Sequence, residues 1–314
     1  MTLVKPTALR PGDRVAVVAP ASPFPRAELD EGLVELRALG FEPVFDERVF
    51  ERQTYLAGES ETRAQSFLDA WRDPAVRAIF TARGGYGSAQ ILPFLKVQEL
   101  RATPKLLVGY SDITALLSFV TTRCGIAALH GPTVTGRFAR GEQGYDRATF
   151  LRAATGTDPL GELAAPGLIS LAPGEASGPM VGGNLTQLAA SLGTPYAFDP
   201  PEGCVLFLED VNERPYRVDR MLTQLQQAGV LGRASALVFG EMPGCDEVDG
   251  AILARDAVVR VVREFAGPVV WGLASGHTPG PALTLPLGVS ARVIGGDRPA
   301  VIIEESAVSP RPGA

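Results

Sequence analysis

Cysteine and histidine are scarce in this sequence, with three of the first and two of the second among 314 residues, and that scarcity removes several kinds of chemistry. Cys124, Cys204 and Cys245 are odd in number, widely spaced and outside any Cys-x-x-Cys, so neither a disulfide framework nor a zinc ribbon is expected. All three read as small reduced core residues. His130 and His277 stand in no His-Glu-x-x-His or similar spacing, so no metal and no cofactor is expected. Dense Lys/Arg tracts are missing too, and a formal charge of -6 has the wrong sign for gripping phosphate backbones, so nucleic acid is not an expected partner. Near the start, Lys5, Pro6, Arg10 and Pro11 precede an apolar run, Val15 to Ala19, that is too short and too late for a signal-peptide core. A cytoplasmic protein without a membrane partner is the expectation.

What the sequence does contain is apolar residue enough, at 46%, to bury a substantial core, in a chain longer than one typical domain. Two domains and a cleft between them follow. The first half alternates short β-branched runs with helical patterns: Arg14 to Ala19, Arg26 to Leu39, Glu42 to Phe45, Glu61 to Arg72, Ala78 to Thr81, Ser88 to Leu95, Lys105 to Gly109, Asp112 to Thr122, and Ile126 to His130. Such alternation predicts a parallel sheet, with Ser60 as a helix N-cap and Gly40 as a left-handed helix exit. A helix over Tyr145 to Thr155 precedes Gly156 to Gly178, a stretch rich in Gly, Pro and Ala that suits an interdomain connection or a long loop over the cleft. The expected division is therefore a domain over 1–155, a linker over 156–178 and a second domain over 179–314.

In the second half, strands at Val205 to Leu208, Ala236 to Phe239 and Val269 to Trp271 alternate with helices over Pro215 to Ala228 and Ala251 to Phe265. Val218, Met221, Leu222 and Leu225 fall on one face of the first of these helices, as a core-facing stripe requires. Ala282 to Leu285, Val289 to Ile294 and Ala300 to Ile303 follow, joined by Pro286-Leu287-Gly288 and Gly295-Gly296-Asp297 turns, which predicts antiparallel or mixed pairing near the C-terminus.

Ligands of open parallel sheets bind beyond the carboxyl ends of the strands, and polar and glycine residues collect there in this sequence. Ser111 sits between the run Leu106 to Val108 and the helix beginning near Asp112, where a sharp turn would present its hydroxyl to a cleft and aim the following amides at a developing oxyanion. A serine in that position also suits a plain helix N-cap. Gly-x-Ser-x-Gly is absent, because Ile113 occupies the second glycine position, so an ordinary α/β-hydrolase elbow is not indicated. Arg83-Gly84-Gly85-Tyr86-Gly87 is either an anion-binding nest of backbone amides or a tight turn. Of the two candidate bases, His277 lies in a loop fixed by glycine and proline, Ser275 to Pro281, whereas His130 ends a buried strand and reads as a structural, hydrogen-bonded residue. A base needs a carboxylate to hold its tautomer. Glu209, directly after Val205 to Leu208, is the first choice, with Glu241 and Asp246 as rivals and an ion pair of Glu209 with Arg214 as the structural alternative.

Read in order, Leu9-Arg10-Pro11-Gly12-Asp13, Arg83-Gly84-Gly85-Tyr86-Gly87, Gly109-Tyr110-Ser111-Asp112, Leu129-His130-Gly131-Pro132, Gly182-Gly183-Asn184-Leu185, Leu208-Glu209-Asp210 and Gly276-His277 resemble the LD-carboxypeptidase family over nearly the whole chain. The family includes muramoyl tetrapeptide carboxypeptidases and microcin immunity peptidases. The resemblance implies an α/β architecture with a Rossmann-like N-terminal half carrying the nucleophile and a C-terminal mixed α/β half carrying acid and base. It implies a metal-free triad of Ser111, Glu209 and His277, and an oxyanion hole from the amide of Asp112 and that of Gly84 or Gly85. The implied substrate is a murein tetrapeptide that loses its terminal D-alanine in cell-wall recycling. An aminoacyl- or peptidyl-nucleotide amide is the alternative substrate, and a noncatalytic peptide- or anion-binding module the alternative of another class. The oligomeric state stays open, with a homodimer among the options.

Overall fold

The structure, a computed structural model, describes residues 2–311. Five strands alternate with helices in the first half: β1 (Arg14–Val18), β2 (Glu42–Phe45), β3 (Val76–Thr81), β4 (Leu106–Gly109) and β5 (Ala128–His130). All neighbouring pairs among them are parallel, as βαβ connections require. β1, β3, β4 and β5 are almost wholly buried, consistent with a sheet covered on both faces.

Segment 156–178, expected as a connection, contributes to a second sheet through β6 (Gly161–Glu162), β7 (Ile169–Ala172) and the start of β8 (Gly174–Asn184). β9 (Cys204–Glu209), β10 (Ala234–Gly240) and β11 (Val269–Leu273) run parallel to one another and to the end of β8. The last three strands are β12 (Leu285–Leu287), β13 (Ser290–Gly295) and β14 (Ala300–Ile303). The second sheet has the order β6-β14-β13-β8-β9-β10-β11-β7 and is antiparallel towards both edges, which matches the mixed pairing expected there.

β12 departs from the expectation. Pro286-Leu287-Gly288 has the composition of a turn, yet Leu285 to Leu287 pair antiparallel with β5 at the edge of the first sheet. Proline has no N–H to give a ladder, and an edge strand is where that omission is tolerated. The chain thus returns from the second half to complete the first sheet, and one apolar cluster spans both, joining Phe80 and Leu129 to Phe207, Val238 and Val270.

Helix ends show the other differences. Gly40 takes a left-handed exit at φ +92°, as expected. Ser60 is not the N-cap: that position falls to Glu59, and the Ser60 hydroxyl donates instead to Glu61. The helix expected over 112–122 is a short 3₁₀ turn, one α turn over Thr114–Ser118 and a π turn over Phe119–Arg123. Thr121 and Thr122 donate their hydroxyls to the carbonyls of Leu117 and Ser118, competition with the backbone ladder that accompanies the widening. The helix over Pro215–Gln227 buries Val218, Met221, Leu222 and Leu225, the stripe read from the sequence. Cys124, Cys204 and Cys245 are buried free thiols, each pushed up to about 12 by burial. Among the described residues no helix is long and apolar enough to cross a membrane.

Candidate active site

The carboxyl ends of β1, β3, β4 and β5 meet those of β8, β9 and β11, and the chemically capable residues lie at that junction. Ser111 follows β4 with φ +66°, a left-handed conformation that costs a residue with a Cβ on the order of 1 kcal/mol or more. The N-cap of the short helix that follows is Tyr110, and Ser111 is already its first residue, so the N-cap alternative does not hold. Neighbouring glycines make room for the sharp turn. A Cβ on Gly109 would stand 2.4 Å from Thr81 Oγ1 and 2.8 Å from Ile113 Cγ2, and one on Gly84 would stand 2.9 Å from Ser111 Cβ and 3.1 Å from its Oγ.

The glycine segment after β3 is built from backbone amides, and several of them are already spoken for by protein acceptors. Gly87 and Ser88 donate their N–H groups to the Asp112 carboxylate at 3.3 and 2.8 Å, and Ser88 Oγ donates to the Asp112 carbonyl at 2.6 Å. Tyr86 N–H goes to Ser22 Oγ at 3.1 Å. The buried Arg63 donates to the carbonyls of Pro20 and Gly87 behind the same turn. Burial pushes the Asp112 carboxyl up despite these donors. Of the two glycines proposed for an oxyanion hole, Gly84 is the one against Ser111, within 3.3 Å of the Asp112 amide when measured from its Cβ position. Gly85 instead packs on Ser22 with φ +98°.

On the second sheet Glu209, the last residue of β9, is completely buried. Its Oε2 accepts from both His277 N–H at 2.9 Å and His277 Nδ1 at 2.7 Å, and Asn184 Nδ2 donates to Oε1 at 3.3 Å. A carboxylate acceptor holds the proton on Nδ1 and leaves the Nε2 lone pair outward as a base. Gly276 has φ +71°, and a Cβ there would lie 2.7 Å from Glu209 Cδ and 2.9 Å from His130 Cε1, so only glycine admits this contact. The His277 ring stands 5.1 Å from the ring of Tyr110, the residue before Ser111. The Glu209 carboxylate and the His277 imidazole are paired; among the described residues no hydrogen bond joins Ser111 to His277. Such bonds are often long in unliganded enzymes and tighten with substrate.

Comparison with known proteins bears on the chain as a whole. Residues 15–131 match the LD-carboxypeptidase N-terminal domain, and residues 177–293 match the LD-carboxypeptidase C-terminal domain. The chain belongs to the LD-carboxypeptidase family. A murein tetrapeptide carboxypeptidase of Pseudomonas aeruginosa is 33% identical over 280 residues, covering 84% of this chain and 88% of that protein. The structure of a muramoyltetrapeptide carboxypeptidase from Oxalobacter formigenes superposes with a TM-score of 0.81 at 29% identity, covering 95% of this chain and all (100%) of the other. The fold is shared as well with MccF in complex with glutamyl sulfamoyl guanosine, at a TM-score of 0.88, 24% identity and coverage of 97% and 99%.

Within this family member, electrostatics separate the two histidines. Burial pushes His277 down, but the Glu209 hydrogen bond and charge, with Asp210 behind, outweigh it and leave the imidazole above its ordinary 6.5. Burial likewise pushes Glu209 up, and the hydrogen bonds and charge of His277 reverse that, holding it below the usual carboxylate value. For His130 burial is the largest influence and prevails over the Glu209 charge, so its pKa is pushed down to about 4. The residue is fully buried, with Nδ1 3.2 Å from Ser275 Oγ; since Ser275 donates to the Leu283 carbonyl, His130 Nδ1 is the donor, and among the described residues its Nε2 has no hydrogen-bond partner. His130 is thus the neutral structural histidine that its strand-end position suggested. The rival acids have other partners: Glu241 reaches the same loop but accepts from the hydroxyl of Thr278, next to His277, Asp246 accepts from Ala254 N–H at 2.8 Å, and Arg214 pairs with Glu247 rather than Glu209.

Ser22, Ser88, Asn184 and Asp210 support the site without having been assigned a part from sequence. Asp210 accepts from Asn184 Nδ2 at 3.1 Å and from Thr186 N–H at 2.9 Å, and Asn184 N–H donates to Thr114 Oγ1 at 2.9 Å, tying the acid's surroundings to the turn after Ser111. Asn184 and Asp210 stand in two of the motifs that carry the family resemblance, Asn184 closing β8 and Asp210 directly following β9, whereas Ser22 and Ser88 were marked only by lying in the segments after β1 and β3.

Proposed function

We propose that this protein is a serine LD-carboxypeptidase that removes the terminal D-alanine from a murein tetrapeptide in the cytoplasm, with Ser111 as nucleophile, His277 as base and Glu209 as the acid that orients it. The observation that carries the reading is the pairing of His277 with the buried Glu209, which fixes one imidazole tautomer, beside Tyr110, the neighbour of a serine held in a left-handed turn. Ser111 Oγ attacks the carbonyl carbon of the L-to-D amide while His277 Nε2 takes its proton. The negative charge that develops on the carbonyl oxygen is met by the amides of Asp112 and Gly84, with Gly85 the alternative donor. Collapse breaks the C–N bond as His277 returns the proton to the departing D-alanine nitrogen, and water, deprotonated by the same imidazole, releases the acyl group from Ser111. A cavity of ≈ 390 Å³ lined by Tyr86, Ala115, Thr186, Gln187 and Tyr196 adjoins the glycine segment and offers room for a short peptide.

The test is incubation with L-alanyl-D-glutamyl-diaminopimelyl-D-alanine and mass spectrometry of the products. Tripeptide and D-alanine are expected. Turnover of an aminoacyl-nucleotide amide with none of the tetrapeptide would transfer the same triad to the other substrate, for which fold likeness is the support. Labelling by a fluorophosphonate that persists in Ser111→Ala, with no turnover of either substrate, would leave a binding module.

A further inference from the structure

The base loop is held by a side chain to which no part in the reaction has been given. Arg137 is 5% exposed, and all of its hydrogen-bond acceptors are main-chain carbonyls. Nη1 donates to Gly144 O at 2.9 Å and Gly280 O at 3.0 Å; Nη2 donates to Gly276 O at 2.6 Å and Thr278 O at 3.0 Å. Three of these four carbonyls belong to the loop that carries His277, two of them on the residues either side of it. The guanidinium also lies 5.7 Å from the centroid of the Tyr110 ring, which itself stands 5.1 Å from the His277 ring. Its backbone is anchored in turn, since the adjacent Phe138 is fully buried among Phe80, Tyr145 and Phe150.

Burying a guanidinium without a carboxylate is expensive, and four convergent carbonyl dipoles are a replacement for its hydration that only a planar fork can engage at once. We propose that Arg137 is the positioning residue of the base: it ties residues 276–280 to the half of the molecule that carries Ser111, so that His277 stays on Glu209 and aimed at the nucleophile. The proposal rests on the reading of His277 as base. Geometry, not charge, is the contribution. Of the groups facing His277, Glu209 and Asp210 favour the imidazolium, whereas the Arg137 charge opposes it.

Arg137→Lys and Arg137→Gln separate these effects, because lysine keeps the charge but cannot span the carbonyls. Both variants should lose about 10²-fold in kcat with KM changed little, the cost of a base displaced by about an ångström. A readout independent of turnover is the NMR titration of His277, one of two histidines in the chain. Its midpoint should fall towards 6.5 in both variants as the Glu209 contact loosens. Wild-type kcat in Arg137→Lys, or a raised His277 midpoint in Arg137→Gln, would overturn the proposal by assigning Arg137 a purely electrostatic effect. A lowered melting temperature with kcat and midpoint unchanged would overturn it in favour of a merely structural part. Should neither variant fold, the wild-type Arg137 Nη protons provide the measurement: slowly exchanging, separate resonances are expected, and one averaged, rapidly exchanging signal would defeat the idea. If wild-type protein released no D-alanine, the substrate assignment would fail while the titration still reported on Arg137.

Discussion

At the edge of the first sheet the site is made largely of main chain: glycines in close approach, amides aimed at a carboxylate and a serine hydroxyl, and one serine forced to φ +66°. At the edge of the second sheet it is made of side-chain charge, with a fully buried carboxylate whose two oxygens are taken by His277 and Asn184. The first arrangement stores strain and the second stores electrostatic energy. They should therefore answer differently to substitution and to pH, and the contrast can be broken or sharpened by experiment.

The largest expected effect is at the strained serine. Ser111→Ala should lower kcat/KM by roughly 10⁴-fold or more while the protein stays folded, and Ser111→Gly should be equally inactive yet melt no lower than wild type, since glycine relieves the left-handed strain. A clear drop in melting temperature for Ser111→Gly would show that the turn is not strained. Next comes the buried pair. Glu209→Gln should cost on the order of 10³-fold, because the amide can donate to Nδ1 and stabilise the wrong tautomer.

The pH dependence of that pair has a definite sign. In the proposed mechanism His277 works as the neutral base, and with its pKa raised above 6.5 kcat/KM should rise with pH through a limb above 6.5 that moves down in Glu209→Gln. Stability runs the other way: the contribution of the raised His277 pKa is fully present below 6.5 and is lost as pH rises through the folded value. Activity retained in Glu209→Gln but lost in Glu241→Gln would move the acid to the neighbouring strand end.

The smallest expected effect separates the histidines. Folding depresses the His130 pKa from 6.5 to about 4, so the unfolded chain takes up the proton first and stability should fall as pH drops through that window. The loss totals about 3 kcal/mol at ~1.4 kcal/mol per unit. Chemical denaturation at pH 7 and pH 4.5 should show that dependence in wild type and not in His130→Gln; an unchanged slope in the variant would mean that another group titrates.

Much of the nucleophile edge was legible because backbone-built features leave local marks. Gly109-Tyr110-Ser111-Asp112 between an apolar run and a helical pattern locates a turn, and Gly84 beside Gly85 locates a close approach. Glu209 was harder to choose, since Glu241 and Asp246 follow the next strand with nothing in their immediate sequence to demote them. Only burial did so: Glu209 is sealed against Gly276 and His277, while Glu241 and Asp246 serve a loop hydroxyl and a helix start. β12 was missed for a related reason. Pro286 and Gly288 are turn residues by composition, and the edge of a sheet built about 150 residues earlier is what made them a strand.

Periodicity and turn chemistry act over a few residues, so the sequence by itself determined the parallel first sheet, the mixed second sheet, the place of Ser111 and the two-histidine limit on the base. Which carboxylate meets His277, that Ser111 is strained rather than capping, that residues 161–178 join a sheet, and that Arg137 gathers four carbonyls were decided by tertiary structure alone. Each depends on groups far apart in the chain losing water against one another, and that exchange of solvent for protein contact has no local signature.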